Sequence, residues 1–296
     1  MQKNILVTGA NGQLGKSLQA IAPMYANDFR FHFTDVEELD ITDCEAIART
    51  MEETRADFIV NAAAYTAVDK AESDVEKAYL LNETAVRLLA EATKKNGAML
   101  VHISTDYVFD GTSEEPYRPD MQPHPISVYG KSKWAGERAI HEVGGRAVII
   151  RTEWLYSRYG GNFVKTMLRL AEERGALRVV SDQVGAPTLA GDLARLILRV
   201  LECEERLDGV STYHFSDGGR ATWYDFACEI IRLSGLPCPV QPITSQEYPT
   251  PATRPNFSLF DLSKTIKDFN FDIPDWKTSL AQEFPHIYHN HKNGIR

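Results

Sequence analysis

The feature that most restricts this chain is the glycine run Gly9-Ala10-Asn11-Gly12-Gln13-Leu14-Gly15, set directly behind the β-rich stretch Asn4-Ile5-Leu6-Val7-Thr8. A G-x-x-G-x-x-G between a strand and a helix supplies a tight turn, lets bare backbone approach a diphosphate, and packs helix closely on strand. The helix that follows offers unpaired N–H groups and a positive partial charge to an anion. Leu14, Leu18 and Ile21 recur at helical spacing, and Pro23 is expected to stop that helix. Asp35 stands about 20 residues past the last glycine, at the end of the second apolar run, where a carboxylate bonds the ribose hydroxyls of a dinucleotide. Its charge opposes the extra phosphate of NADP. The expected cofactor is therefore NADPH or NADH, with a lean toward NADH.

Further short apolar runs, at 30–34, 58–61, 99–104 and 147–151, read as strands buried on both faces and alternate with helical patterns. Ser73-Asp74-Val75-Glu76 reads as a capping box opening a long helix through Leu80, Leu81, Leu88 and Leu89, closed by Gly97. Strand–helix alternation of this kind predicts α/β architecture: a Rossmann-type doubly wound parallel sheet with right-handed crossovers. The second half is less regular, with Pro- and Gly-rich loops, but Thr212-Tyr213-His214-Phe215 is a strand able to rejoin the main sheet. The expected division is a dinucleotide-binding domain over 1–152 plus about 186–218. A smaller, sequence-interleaved C-terminal substrate domain takes about 153–185 and 219–296.

Composition narrows the partners. With 32 basic against 41 acidic side chains the net charge is −9, which argues against nucleic acid or an anionic membrane. An anionic ligand must then be held by local groups. No apolar run is long enough to span a bilayer, and no secretory h-region stands at the N-terminus. Cys44, Cys203, Cys228 and Cys238 lack metal or redox spacing and read as free thiols in a cytoplasmic protein. His286, His289 and His291 read as a solvated tail, so no metal site is expected.

Tyr129-Gly130-Lys131-Ser132-Lys133 is a Y-x-x-x-K, with Ser127 placed to cap its helix and Gly144-Gly145 to end it. At i and i+4 the phenol and the ammonium share one helix face. A cation about 5 Å from the phenolate is worth roughly 3 kcal/mol at an effective dielectric of about 20. That would bring Tyr129 toward the neutral range, where a phenol serves as a general acid. The strand ending in Ser104 and Thr105 points its C-terminal side chains into the cofactor crevice, so Thr105 could bond a substrate carbonyl oxygen together with Tyr129.

With these residues the chain resembles the extended short-chain dehydrogenase/reductases and, within them, the dTDP-4-dehydrorhamnose reductases. The resemblance is carried by ILVTGANGQLG, VNAAAYTAVDKAE, ISTDYVFDG, VYGKSKWAGE, RTEWLY, NFVKTMLRLA, DQVGAPT and YPTPATRP, from Asn4 to about Leu262. It implies Tyr129 as proton donor, Lys133 as the group that lowers its pKa and holds the nicotinamide ribose, and Thr105 as the group that aligns the carbonyl. It further places Gly12, Gln13, Leu14, Asp35, Asp40, Ile41, Ala64, Tyr65, Thr66 and Ile103 around the dinucleotide. Thr105, Asp106, Tyr129 and Trp154 match sugar-contacting positions. Arg254 is a candidate for the substrate diphosphate, because a guanidinium bonds phosphate oxygens in pairs; a structural salt bridge is its equal alternative. The implied reaction is reduction of C4 of dTDP-4-dehydro-6-deoxy-L-mannose to dTDP-L-rhamnose.

Two features depart from the family pattern. Some members form a dimer bridged by Mg²⁺ through acids that here read Ser17 and Gly191-Asp192. A divalent cation wants several oxygen ligands, so a monomer, or a dimer not bridged by metal, is expected. Glu153 replaces a residue that is commonly small, with little functional effect expected. A dehydratase would need an Asp–Glu pair after Thr105, where this chain has Asp106-Tyr107. The remaining alternatives are another nucleotide-sugar 4-ketoreductase, an epimerase, or a non-catalytic regulatory subunit, the last disfavoured by the presence of Thr105, Tyr129 and Lys133.

Overall fold

The computed structural model describes residues 2–294; residues 1, 295 and 296, at the ends of the expected domains, lie outside it. A parallel sheet forms the centre: β1 (Lys3–Thr8), β2 (Phe29–Thr34), β3 (Phe58–Asn61), β4 (Met99–Thr105), β5 (Arg146–Thr152) and β6 (Val210–Phe215). Their order is β6-β5-β4-β3-β1-β2, so the run in Thr212–Phe215 does rejoin the sheet, at its edge beside β5. The winding reverses between β1 and β3, which opens a crevice beyond their C-terminal ends.

The strand period of two decides which helix each residue meets. Ile5 and Val7 face α1 (Gln13–Ile21) and, with Val101 and Val148, the Leu193, Ile197 and Val200 stripe of a later helix, Ala190–Glu202. Leu6, Ile59, Leu100 and Ile149 face the other way, against Ile47 and Met51 of α2 (Cys44–Thr54) and against Val86, Leu89 and Ile140. Those last belong to α3 and α4. The first of these has α-helical pieces Val75–Tyr79 and Ala85–Asn96 around a π-helical turn, Leu80–Thr84; the second is Val128–Val143. A separate apolar core gathers Val164, Leu168, Phe226, Ile230, Leu280 and Ile287 from helices Phe163–Arg174, Trp223–Ser234 and Trp276–Lys292. A short parallel pair, Leu177–Val180 with Val240–Ile243, adds to that lobe.

One local expectation is corrected. The capping box at Ser73 does not form: Asp74 is the N-cap, and its side chain makes no capping bond. Its carboxylate instead accepts from the Tyr65 hydroxyl at 3.1 Å, and Ser73 Oγ donates to the Lys70 carbonyl. The α-helix α1 does end at Ile21, ahead of Pro23, which lies in a short 3-10 turn, Ala22–Tyr25. A proline has no N–H to miss in a first turn. The Ser127 cap of α4 is present, its Oγ accepting from the Gly130 amide at 3.1 Å.

Candidate active site

A cleft of about 970 Å³ lies over the C-terminal edge of the sheet. Of the residues picked out in the sequence, Gly9, Gly12, Gln13, Leu14, Asp35, Asp40, Ile41, Ala64 and Thr66 line one part of it. Ile103, Thr105, Asp106, Tyr129, Lys133 and Trp154 line the rest. Gly15, Tyr65 and Arg254 are not in its wall. Gly15 serves packing, because an added Cβ would sit 2.4 Å from the Gly9 carbonyl oxygen. Tyr65 is held through its backbone by Asn82. Arg254 forms the salt bridge alternative: Nη1 and Nη2 meet the two Asp69 oxygens at 3.0 and 2.7 Å, and this pairing holds Asp69 below the usual carboxylate range.

The glycine turn fits a diphosphate. Gly9 has φ +69°, and a Cβ there would strike the Ala63 nitrogen at 2.6 Å. Gly12 is the N-cap of α1, and no side chain caps the helix, so its first N–H groups stay free toward the cleft. Asp35 is anchored beside this turn, accepting from the Asn11 amide at 2.8 Å and the Val36 amide at 2.9 Å.

The other part of the cleft rests on α4, whose Tyr129, Lys133 and Glu137 recur every fourth residue. Glu137 is tied to Arg151 on β5 and to Ser104 on β4. Gly130 lets the helix come down onto the chain after β4, since a Cβ would lie 2.1 Å from the Tyr107 carbonyl oxygen. From behind, Asn82 in the π turn donates to Ser132 at 2.9 Å and holds the Tyr65 backbone on both sides, joining α3, α4 and the β3 loop. Single π turns recur at functional sites for this kind of local re-aiming.

The expected effect of Lys133 on Tyr129 is corrected. Burial pushes the Tyr129 phenol up to about 12; the Thr105 hydroxyl pulls it the other way, and the Asp106 charge adds to the rise. The Lys133 ammonium does not offset this, because it is spent on the sheet: Nζ donates to the Ile103 carbonyl at 2.6 Å and lies 3.4 Å from His102 Nε2. Burial brings that ammonium down to about 8, with Glu137 opposing. Sharing a helix face does not oblige two side chains to meet. Here the longer one reaches past the ring to the backbone of β4.

Sequence reasoning missed His102, and it missed the packing around Tyr107 and Trp154. His102, fully buried on β4, accepts at Nδ1 from Asn61, whose own oxygen takes Thr8 and the Ala63 amide. Burial first, and the Lys133 charge second, keep it neutral. Tyr107 packs edge-on against Tyr129 with ring centroids 5.3 Å apart. Trp154 has a left-handed backbone, φ +45°, and its indole stacks on Trp223 at 3.6 Å. Such strain in a non-glycine residue concentrates at binding sites. Alternation along β4 could have flagged His102, but no local signal foretells the turn at Trp154.

A glycine-lined diphosphate cradle and a buried Tyr–Lys–Thr group thus share one cleft. The sequence profile of the family described as RmlD substrate binding domain matches residues 3–288. A dTDP-4-dehydrorhamnose reductase of Aggregatibacter actinomycetemcomitans is 40% identical over 289 residues, covering 93% of this chain and 96% of its own. This chain belongs to the dTDP-4-dehydrorhamnose reductase family. The reductase of Escherichia coli strain K12 is also 40% identical, with 96% of this chain and 98% of its own covered. The crystal structure of the Bacillus anthracis reductase in complex with NADP superposes with a TM-score of 0.91 at 38% identity, covering 96% of this chain and 99% of that one. Among the described residues no helix is long and apolar enough to cross a membrane.

Proposed function

We propose that this chain reduces the C4 ketone of dTDP-4-dehydro-6-deoxy-L-mannose to dTDP-L-rhamnose with NADPH or NADH, the last step of dTDP-L-rhamnose biosynthesis. The observation that carries this reading is the buried phenol of Tyr129 in the wall of the same cleft as the glycine cradle. The relatives named above support the substrate class, and the NADP held by the Bacillus anthracis relative supports the cofactor class.

Gly9, Gly12, Gln13 and Leu14 would hold the dinucleotide diphosphate on the free N–H groups of α1. Asp35 would take the adenosine ribose, while Asp40, Ile41, Ala64, Thr66 and Ile103 would flank the rest, with Tyr65 setting the loop from behind. Lys133 would bond the nicotinamide ribose. When bound, the reduced nicotinamide supplies a hydride to the ketone carbon. The oxygen then carries the charge, and Tyr129 gives it the phenolic proton, yielding the alcohol. The high pKa suits this task, since it keeps the donor protonated until an alkoxide forms. Thr105, whose hydroxyl donates to Asp106 Oδ1 in this structure, would turn that proton to the same oxygen to fix its position, while Asp106 and Trp154 bound the sugar. Arg254 reaches a substrate diphosphate in this reading only by exchanging Asp69 for it.

The division into a dinucleotide lobe and a sugar lobe is part of this reading, supported by the separate core of the second lobe. So is a cytoplasmic monomer, or a dimer without a metal bridge. In its support, Ser17 Oγ bonds the Gln13 carbonyl, and the Asp192 carboxylate is taken by Ser279 at 2.6 Å and by Arg195. Incubation of the purified protein with the 4-keto sugar nucleotide and each reduced cofactor tests the reaction. Stoichiometric cofactor oxidation with appearance of dTDP-L-rhamnose is expected. A different sugar product, or turnover with no net cofactor oxidation, as in an epimerase, overturns it.

A further inference from the structure

Two carboxyl groups stand side by side in the cleft wall with no cation to share. Thr105 on β4 pairs with Thr152 on β5, so Asp106 and Glu153 follow directly on the ends of neighbouring parallel strands, whose spacing is about 4.8 Å. They are only 4% and 2% exposed. Asp106 Oδ1 accepts from Thr105 at 2.9 Å. Glu153 Oε2 accepts from Ser258 at 2.5 Å, and Oε1 has no partner among the described residues. On the far side Gly185 closes the space, because a Cβ there would lie 2.4 Å from Glu153 Oε2. The facing groups are Thr105, Tyr107, Tyr129 and Ser258, none a cation. Arg254, the nearest guanidinium on that loop, is committed to Asp69.

We propose that Asp106 and Glu153 form a one-proton carboxyl pair, in which Glu153 is the neutral acid and leaves Asp106 as the single anion of the cleft wall. Two buried like charges without a counter-ion cannot both persist. The proton goes to Glu153 because its Oε1 is buried with no donor to stabilise a charge there. The direction of titration agrees. Burial pushes Asp106 up to about 7, whereas burial and the Asp106 charge together push Glu153 well above the ordinary range. An anionic Asp106 accepts hydrogen bonds from a sugar hydroxyl and helps keep the proton on Tyr129. This last consequence rests on the reductase reading; the location of the proton does not.

Infrared spectra of the protein at pH 8 test the pair directly. Asp106 and Asp217, each pushed up to about 7, are largely ionised at that pH, so a remaining carboxylic-acid C=O band reports Glu153. The band is expected in the wild type and in Asp106→Asn, and it is expected to vanish in Glu153→Gln. Kinetics supply the second readout. Glu153→Gln should hold the KM for the sugar nucleotide within about threefold, while Glu153→Ala raises it about tenfold or more with a smaller effect on kcat. A missing band in the wild type, a band that survives Glu153→Gln, or a glutamine variant as impaired as alanine overturns the proposal. If the wild type shows the band yet reduces no 4-keto sugar, the pair stands and the reductase reading falls.

Discussion

Glu137 and Arg151 meet inside the protein as a forked ion pair, with Arg Nη2 2.6 Å from Oε2 and Nε 3.0 Å from Oε1, the side chains 0% and 3% exposed. Ser104 donates to the same carboxylate at 2.5 Å. One residue on α4 thus locks the helix carrying Tyr129 and Lys133 to two strands at once. Removing a single partner of such a pair leaves a bare charge in the interior. Glu137→Ala is expected to lower unfolding free energy by about 3–5 kcal/mol, read from the urea midpoint. A loss under 1 kcal/mol would mean that Arg151 finds another partner.

Tyr129→Phe removes the phenolic proton while leaving the ring against Tyr107. The turnover number is expected to fall by about 10²–10⁴-fold. Dinucleotide affinity, followed by fluorescence titration, is expected to stay within a few fold. Retained turnover would assign proton donation to another group.

Lys133 makes stability depend on alkaline pH in a definite direction. Its ammonium falls from 10.5 to about 8 on folding, so between those values the unfolded chain binds the extra proton and stability rises with pH. Lys133→Met lacks this rise. The stability difference between the two is therefore expected to move in favour of the wild type by up to about 3 kcal/mol from pH 8 to 10.5, at 1.4 kcal/mol per unit. Chemical denaturation at four pH values checks this, and a constant difference refutes it.

Asp35→Asn keeps an acceptor for the Asn11 amide but removes the charge. The ratio of NADPH to NADH affinity is expected to rise by about tenfold, the worth of one screened like-charge contact. An unchanged ratio would place the 2′-phosphate away from Asp35.

Much of this was legible in the sequence because it depends on neighbours along the chain. The glycine turn is enforced by a strand, a tight bend and a helix within a dozen residues. The Tyr129–Lys133 spacing follows from helix geometry alone. What was not legible depends on approach from elsewhere. Whether Lys133 turns to Tyr129 or to the Ile103 carbonyl is decided by how deeply α4 sits on β4, which Gly130 and Glu137 set through distant partners. Asp74 read as part of a capping box until Tyr65 took its carboxylate. Glu153 read as a minor departure because nothing local reveals that β4–β5 register sets it beside Asp106.

The stack of Trp154 on Trp223 has an experimental consequence. One indole follows the end of β5, the other opens the helix Trp223–Ser234, and both pack against the same second apolar core, so the stack seats the cleft-wall residue Trp154 on that core. Two chromophores this close couple their excited states. The protein thus carries a built-in optical gauge of how Trp154 is seated in the cleft wall, readable in near-ultraviolet dichroism without any added label.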